Sequence, residues 1–331
     1  MLFHFNRTQI DETQWHELLD NSSVASYFQT LECYNFYTSL SFMTPFVFGV
    51  SENNKLVGLL CGYLIADGNN VKRFFSRRAI VPGGLLLHKD ISQDALKMLL
   101  TEAVSHLRKK TIYIEIRNYN DYSSFVPTLD AVNFNYKPHF NFHVATPNVE
   151  STFSALSDSK KRQIKTAQKT GVEWSETTNK QEIGAFYILL KQLYATKIKL
   201  PLFPLEFFEK LVELPNGKLL VVKHEGELIG GMACVSYSGK VVYEWFVCGD
   251  ESKRDVYASV VATWAGLEYA AVNNYERFDF MGAGKPQKSY GVRKFKSKFG
   301  GERIENGRFL YLCKPLLYTL GKTILTIKKI S

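Results

Sequence analysis

At 331 residues the chain is too long for one ordinary core, so two domains are expected. Its 45% hydrophobic and 22% charged residues describe a globular chain and exclude disordered and low-complexity classes. A formal charge of +9 points to anionic company: nucleic acid, a phosphorylated metabolite or an anionic membrane face.

The five cysteines are dispersed, odd in number and form no Cys-x-x-Cys pair; Cys61, Cys234 and Cys248 lie in apolar runs and read as buried thiols. No apolar run reaches the roughly 20 residues a bilayer crossing needs, and the first residues lack a signal-peptide pattern. The expectation is a cytoplasmic protein.

In chain order, helical patterns fall at 11–20 and 31–40, followed by strand patterns at 45–51, 55–66 and 71–76. A helix at 92–109, a strand at 112–116, a short helix at 123–131 and a strand at 134–145 complete a first pass. Thr146-Pro-Asn148 reads as a joint. The second pass has helices at 180–196 and 204–214, and strands at 218–223, 227–237 and 240–248. A long helix at 256–274, a strand at 277–281, a short basic helix at 287–298 and a strand at 302–313 follow. Each pass reads ααβββαβαβ, an α/β pattern. The repeat shows in the letters too: Val50-Ser-Glu-Asn-Asn-Lys-Leu-Val-Gly58 aligns without a gap on Val222-Lys-His-Glu-Gly-Glu-Leu-Ile-Gly230, each a strand, a polar turn and a second strand.

Between Asp279 and Glu302 there is no acidic residue. There a strand exits into Gly282-Ala-Gly284, and a segment follows with Lys285, Lys288, Arg293, Lys294, Lys296 and Lys298. A strand end, a loop and a helix start is where α/β folds bind ligands. Phe295 and Phe299, four apart, share a helix face that anchors the stretch and leaves Lys296 beside the anchor. Ser289, Tyr290, Lys285 and Arg293 are candidate substrate contacts. A second cluster, Lys160, Lys161, Arg162, Lys165 and Lys169, follows Ser159 as a candidate helix cap. Cations in a first helical turn oppose the dipole, which suggests service to a ligand anion. The plainer reading of both clusters is a solvated face.

Glu244 and Asp279 stand in apolar strands, where a charge is costly unless paired or functional. Glu244 is either a general base or the partner of an arginine such as Arg277 or Arg293. His139 and His143 read as core or edge residues of a strand rather than metal ligands. No Gly-x-Ser-x-Gly, Walker or His-Glu-x-x-His pattern occurs.

Several stretches resemble the Fem family of aminoacyltransferases, which build peptidoglycan interpeptide bridges, and its CelD-type acetyltransferase relatives. They are Trp15-His-Glu-Leu-Leu with Ala25-Ser-Tyr-Phe-Gln-Thr-Leu-Glu, Pro82-Gly-Gly84, the spacing Arg162-x-Ile164-x-x-Ala167-x-x-x-Gly171, and 282–300 ending Phe-Lys-x-x-Phe-Gly. The resemblance spans nearly the whole chain. It implies two tandem GNAT-like domains, each a mixed, mostly antiparallel twisted sheet flanked by helices. These are expected at 1–147 and 148–313, with the helix 314–331 packing back on the first. It also implies that Phe295 and Lys296 stand at the active centre, in the second domain. No helical-hairpin insertion of the bridge-building kind appears between Gly171 and Gln181.

The expected chemistry is amide-bond formation by direct attack of an amine on an activated ester, without metal or cofactor. Lys296 would stabilise the oxyanion, Phe295 orient it, and Glu244 or Asp279 take or relay the proton. Lys160, Lys161, Arg162 and Lys165 would hold phosphates. The slot where acetyl-CoA enzymes of this fold cradle pyrophosphate reads Arg254-Asp-Val-Tyr-Ala-Ser259, without glycine, which favours an aminoacyl-tRNA donor. The acceptor would be an amine of a cell-wall or surface-glycan precursor, with weak contact to anionic membrane and no protein partner. Two alternatives are an acyl-CoA-dependent N-acyltransferase and a non-catalytic module binding an anionic polymer.

Overall fold

The computed structural model describes residues 1–68, 70–287 and 291–330, without the side chains of 70–72, 254 and 323–330. Two compact units emerge: Met1–Pro138 with Asn306–Ser331, and His139–Glu305.

The strands of the first pass are β1 (Leu2–His4), β2 (Thr44–Glu52), β3 (Lys55–Ile65), β4 (Arg78–Gly83), β5 (Leu86–Leu87), β6 (Tyr113–Asn118), β7 (Asn135–Lys137) and β8 (Phe140–Ala145). Those of the second are β9 (Glu173–Glu176), β10 (Gly217–His224), β11 (Glu227–Tyr237), β12 (Val241–Gly249), β13 (Arg277–Asp279), β14 (Glu302–Glu305) and β15 (Arg308–Leu312). One mixed sheet runs β1-β2-β3-β4-β6-β15-β7 with β5 on β3, and the other runs β14-β8-β13-β12-β11-β10-β9. Both are mostly antiparallel, with parallel pairs only at β4–β6 and β12–β13 among the described strands. This is the tandem GNAT-like architecture expected from the sequence.

Two strands lie outside the units in which the sequence pattern placed them. β8, which closes the first pass, pairs with β13 and β14, and β15 inserts between β6 and β7. Gly307, at φ 64°, splits the single strand expected at 302–313 into β14 and β15. The expected strand at 71–76 is instead the helix Asn70–Ser76. Its adjacent Phe74 and Phe75 break the alternation a half-buried strand requires, and β4 takes the third place in the meander.

The letter repeat is a structural repeat. Asn53 and Asn54 at φ 49° and 64°, and Glu225 and Gly226 at φ 51° and 78°, make left-handed two-residue hairpin turns. Val50 faces Gly58 and Val222 faces Gly230, and a bulge follows the valine in both hairpins.

Each sheet is packed by one central helix. In the first unit Ser92 caps the helix Gln93–Leu107 through Ala95 N, and Leu96, Leu99, Leu100 and Ala103 meet Val50, Leu60, Ile114 and Phe309. In the second, Trp264 and Leu267 of the helix Ala258–Val272 meet Met232, Cys234, Val242 and Phe278. Each large apolar side chain so buried stabilises by about 1.5–3 kcal/mol. A Cβ at Gly266 would come within 2.3 Å of Met232 Sδ and 2.8 Å of Phe278 Cε2, so a side chain there would have to displace both.

Candidate active site

β13 leaves its sheet at Asp279 into a loop that is held from two sides. On the amide side, Met281 N donates to Asp279 Oδ1 (2.6 Å), Gly282 N to Asn141 Oδ1 (2.8 Å) and Ala283 N to Phe140 O (2.6 Å). On the carbonyl side, Lys296 Nζ donates to Phe280 O (2.8 Å) and Gly282 O (3.0 Å). Arg293 donates through Nε to Ala283 O (2.9 Å) and through Nη2 to Lys285 O. These cations come from the helix Gly291–Lys296, which folds back over the loop. Two members of the acid-free stretch therefore hold backbone carbonyls. Met281 stands in the left-handed region at φ 54°, the kind of local strain that collects at functional sites, and Gly282 takes up φ 140° as only a glycine does freely.

Lys296 is 8% exposed, and its third donor goes to Glu244 Oε1 at 2.8 Å. An ammonium has three donors, so all are engaged. Glu244 thus pairs with Lys296 rather than with Arg277 or Arg293. It is aimed by a bulge in β12: Cys234 faces Glu244 while Ala233 faces Phe246, so Trp245 is the extra residue. In consequence Phe246 packs on Phe207 and Phe208, while Glu244 lies on the face of Val242 and Phe280. Glu244 Oε2 is buried without a hydrogen-bond partner. Burial raises the Glu244 pKa; the Lys296 charge and hydrogen bond oppose this, and Asp279 adds to it.

Asp279 is fully buried. Besides Met281 N it accepts from Asn141 Nδ2 (2.7 Å) and, through Oδ2, pairs with His143 Nε2 (2.9 Å). Asn141 and His143, two apart on β8, share a face, and the β8–β13 register sets His143 opposite Asp279. The His143 side chain keeps 19% exposure, so the dyad has a wet end. Sequence reading missed His143 because it assigned β8 to the other sheet. The available signal was an Asn-x-His alternation among aromatics.

Lys160 is 5% exposed. Its Nζ lies 4.2 Å from the Phe295 ring centre and 5.1 Å from that of Phe299, and it donates to Gln163 Oε1 at 3.1 Å. Burial, then the nearby Lys298 charge, lowers its pKa to about 8. Its helix, Asp158–Lys169, is entered from Ser157, not Ser159. The structure therefore brings together Lys160, Phe295, Lys296, Glu244 and Asp279 around the core of one unit. Lys161 is half-buried beside Asp158 (3.7 Å); Arg162, Lys165 and Lys285 are exposed. Ser289 and Tyr290 lie outside the described residues.

Burial pushes the thiols of Cys61, Cys234 and Cys248 up to about 12, so none of the three is ionised at neutral pH. Among the described residues no group of three or more His, Cys, Asp and Glu is arranged to hold a metal, and no helix is long and apolar enough to cross a membrane.

At the slot 254–259, a cavity of about 250 Å³ lies before the helix Ala258–Val272, with Asp250 and Glu251 among its walls. Its lysines are engaged: Lys197 with Glu251, and Lys253 with Glu227 at 2.5 Å. Tyr257, at φ 53°, makes no side-chain cap. A Cβ at Gly249 would stand 2.3 Å from Ser259 N, which shows how tightly the strand end presses on the first helical turn.

Residues 157–296 match the family model described as an acetyltransferase (GNAT) domain. Among solved structures, FemX superposes with a TM-score of 0.72 at 14% identity, over 97% of this chain and 99% of FemX. The C-terminal domain of a putative lysylphosphatidylglycerol synthetase from Agrobacterium fabrum gives 0.56 at 10% identity, over 95% and 96%. A tandem GNAT protein from the clavulanic acid biosynthesis pathway gives 0.59 at 11% identity, over 94% and 99%. Among curated proteins none matches the sequence. The chain thus has the tandem GNAT fold seen in FemX, and within it residues 157–296 resemble the GNAT acetyltransferase family.

Proposed function

We propose that the protein is an acyltransferase that forms an amide bond, moving an aminoacyl group from aminoacyl-tRNA to an amine of a cell-wall precursor. The observation that carries the acyl-transfer reading is the loop 279–285, held by Lys296 and Arg293 on one side and by Asp279 and Asn141 on the other, with the His143–Asp279 dyad at its edge. The amine nitrogen attacks the ester carbonyl, the new N–C bond forms, the C–O bond breaks, and the amine proton ends on the leaving hydroxyl. With Nε2–H donated to Asp279, His143 Nδ1 keeps its lone pair and takes that proton in transit. Lys296 supplies positive potential to the oxyanion and reaches it by releasing Gly282 O, the longest of its three bonds. Phe295 orients the acyl group, and Lys161, Arg162 and Lys165 present charge to donor phosphates.

The aminoacyl donor is supported by the Fem-type resemblance, by the structural likeness to the lysylphosphatidylglycerol synthetase domain, and by the poor fit of the slot 254–259 to a pyrophosphate. There the carboxylates of Asp250 and Glu251 would face it, and both lysines are already paired. The match to a GNAT acetyltransferase model favours a second reading, an acyl-CoA-dependent N-acyltransferase. A label-transfer assay offering charged tRNA and acetyl-CoA in parallel separates them. Label arriving from charged tRNA upholds the first, label arriving only from acetyl-CoA replaces it with the second, and transfer from neither removes both.

A further inference from the structure

The first unit carries an apolar surface bordered mainly by cations. The helix Asn70–Ser76 leaves Phe74 and Phe75 47% and 43% exposed. The helix Pro315–Ile330 lies against it: a Cβ built at Gly321 would stand 3.9 Å from the Phe75 carbonyl oxygen. Its Tyr318 turns inward, with its ring centre 5.3 Å from that of Tyr113 on β6. Leu316 and Leu320, four apart and so on one helix face, are left 87% and 50% exposed. Water thus meets four large apolar side chains on two touching helices.

Cations surround them. Arg77 Cζ is 5.0 Å and Lys314 Nζ 5.9 Å from the Phe74 ring centre, and Arg73 and Lys322 are exposed. Arg78 is matched by Asp67 at 2.7 Å, but no Asp or Glu occurs in 70–78 or 314–330. Any apolar phase would bury the phenylalanines and leucines; the acid-free cationic surround selects an anionic one. With Tyr318 turned inward and Leu316 and Leu320 outward, the helix is apolar toward both the sheet and the solvent side, which suits lying along a surface. We propose that this face docks on an anionic lipid surface, with Phe74, Phe75, Leu316 and Leu320 entering the headgroup region and Arg73, Arg77, Lys314 and Lys322 meeting lipid phosphates. It stands whether or not the chain transfers acyl groups.

The test is co-sedimentation of the full chain with phosphatidylglycerol–phosphatidylcholine vesicles and with pure phosphatidylcholine. Binding is expected to be at least about tenfold stronger to the anionic vesicles and to weaken with salt. Phe74→Ser/Phe75→Ser and, separately, Leu316→Ser/Leu320→Ser should each lower it by about fivefold or more with an unchanged melting temperature. Absence of binding to the anionic vesicles, or variants that bind like the parent, overturns the proposal. So does analytical ultracentrifugation showing a dimer that the same substitutions dissolve, since the face would then join two copies.

Discussion

Lys296 Nζ sits 2.8 Å from Glu244 Oε1, and both residues are more than nine-tenths buried. The lysine comes from a short helix after the loop and the carboxylate from a bulge in β12, so the pair ties the loop to the sheet. A charge pair this deep returns little net stability over an apolar pair, but breaking it strands a charge.

Lys296→Met therefore tests more than catalysis. It removes the grip on Phe280 O and Gly282 O and leaves Glu244 buried without either oxygen bonded, at a cost of about 3–5 kcal/mol. Both influences that lower the Glu244 pKa disappear with the lysine, so a value already raised by burial rises further. A carboxyl raised in the folded state adds stability below its unfolded value and loses it as pH rises through the folded one. The variant should melt closest to the parent near pH 5 and fall behind toward pH 8. Adding Glu244→Gln should recover part of the deficit at pH 8. Melting curves that coincide with the parent across this range would show that the pair does not support the loop.

Lys160 gives a prediction of opposite sign. Burial lowers its pKa to about 8, while the ring faces of Phe295 and Phe299 favour the ammonium and limit the fall. Between about 8 and the ordinary lysine value of 10.5 the folded state has released a proton that the unfolded chain keeps, so stability rises with pH in that window. Carbon-13 methyl-labelled lysine spectra should show one resonance titrating near 8 that is absent from Lys160→Met. Lys298→Met should move it upward by removing a neighbouring charge. A Lys160 signal that titrates with the bulk lysines would refute the burial argument.

Both hairpin turns and the aromatic anchors were legible in the sequence because they are local, and so was the element order apart from the helix Asn70–Ser76 and the break at Gly307. Asn53-Asn54 and Glu225-Gly226 announce left-handed turns, and Phe295 and Phe299 share a face by spacing alone. What was not legible was partnership. The alternation of 140–145 shows which residues face inward but not which strand lies alongside, so β8 was read into the wrong sheet and His143 stayed apart from Asp279. Lys296 was visible as a cation beside an anchor; its three acceptors, two of them carbonyls of a loop 14 and 16 residues earlier, were not.

Coenzyme A should bind poorly. The slot 254–259 presents Asp250 and Glu251 beside lysines that are already paired, so a pyrophosphate there would meet carboxylates and find no unpaired lysine. Calorimetry with acetyl-CoA is expected to give a Kd weaker than about 100 μM. A low-micromolar value would favour the acyl-CoA reading and require that these pairs open.

His143→Gln isolates the proton-transfer step. The glutamine amide can still donate to Asp279, so the buried carboxylate keeps a partner and the β8–β13 pairing is undisturbed. It has no basic nitrogen, so it cannot take the amine proton. Loss of a positioned general base costs about 10²–10⁴ in rate, and kcat for transfer to the amine should fall by about a hundredfold or more while donor KM changes little. A fall in kcat without a matching change in KM is a split that a merely structural residue would not cause. A melting temperature close to the parent's would confirm that the fold is intact. If the variant keeps most of the parent's turnover, then the dyad is a structural tie between β8 and β13 and the proton leaves by another route.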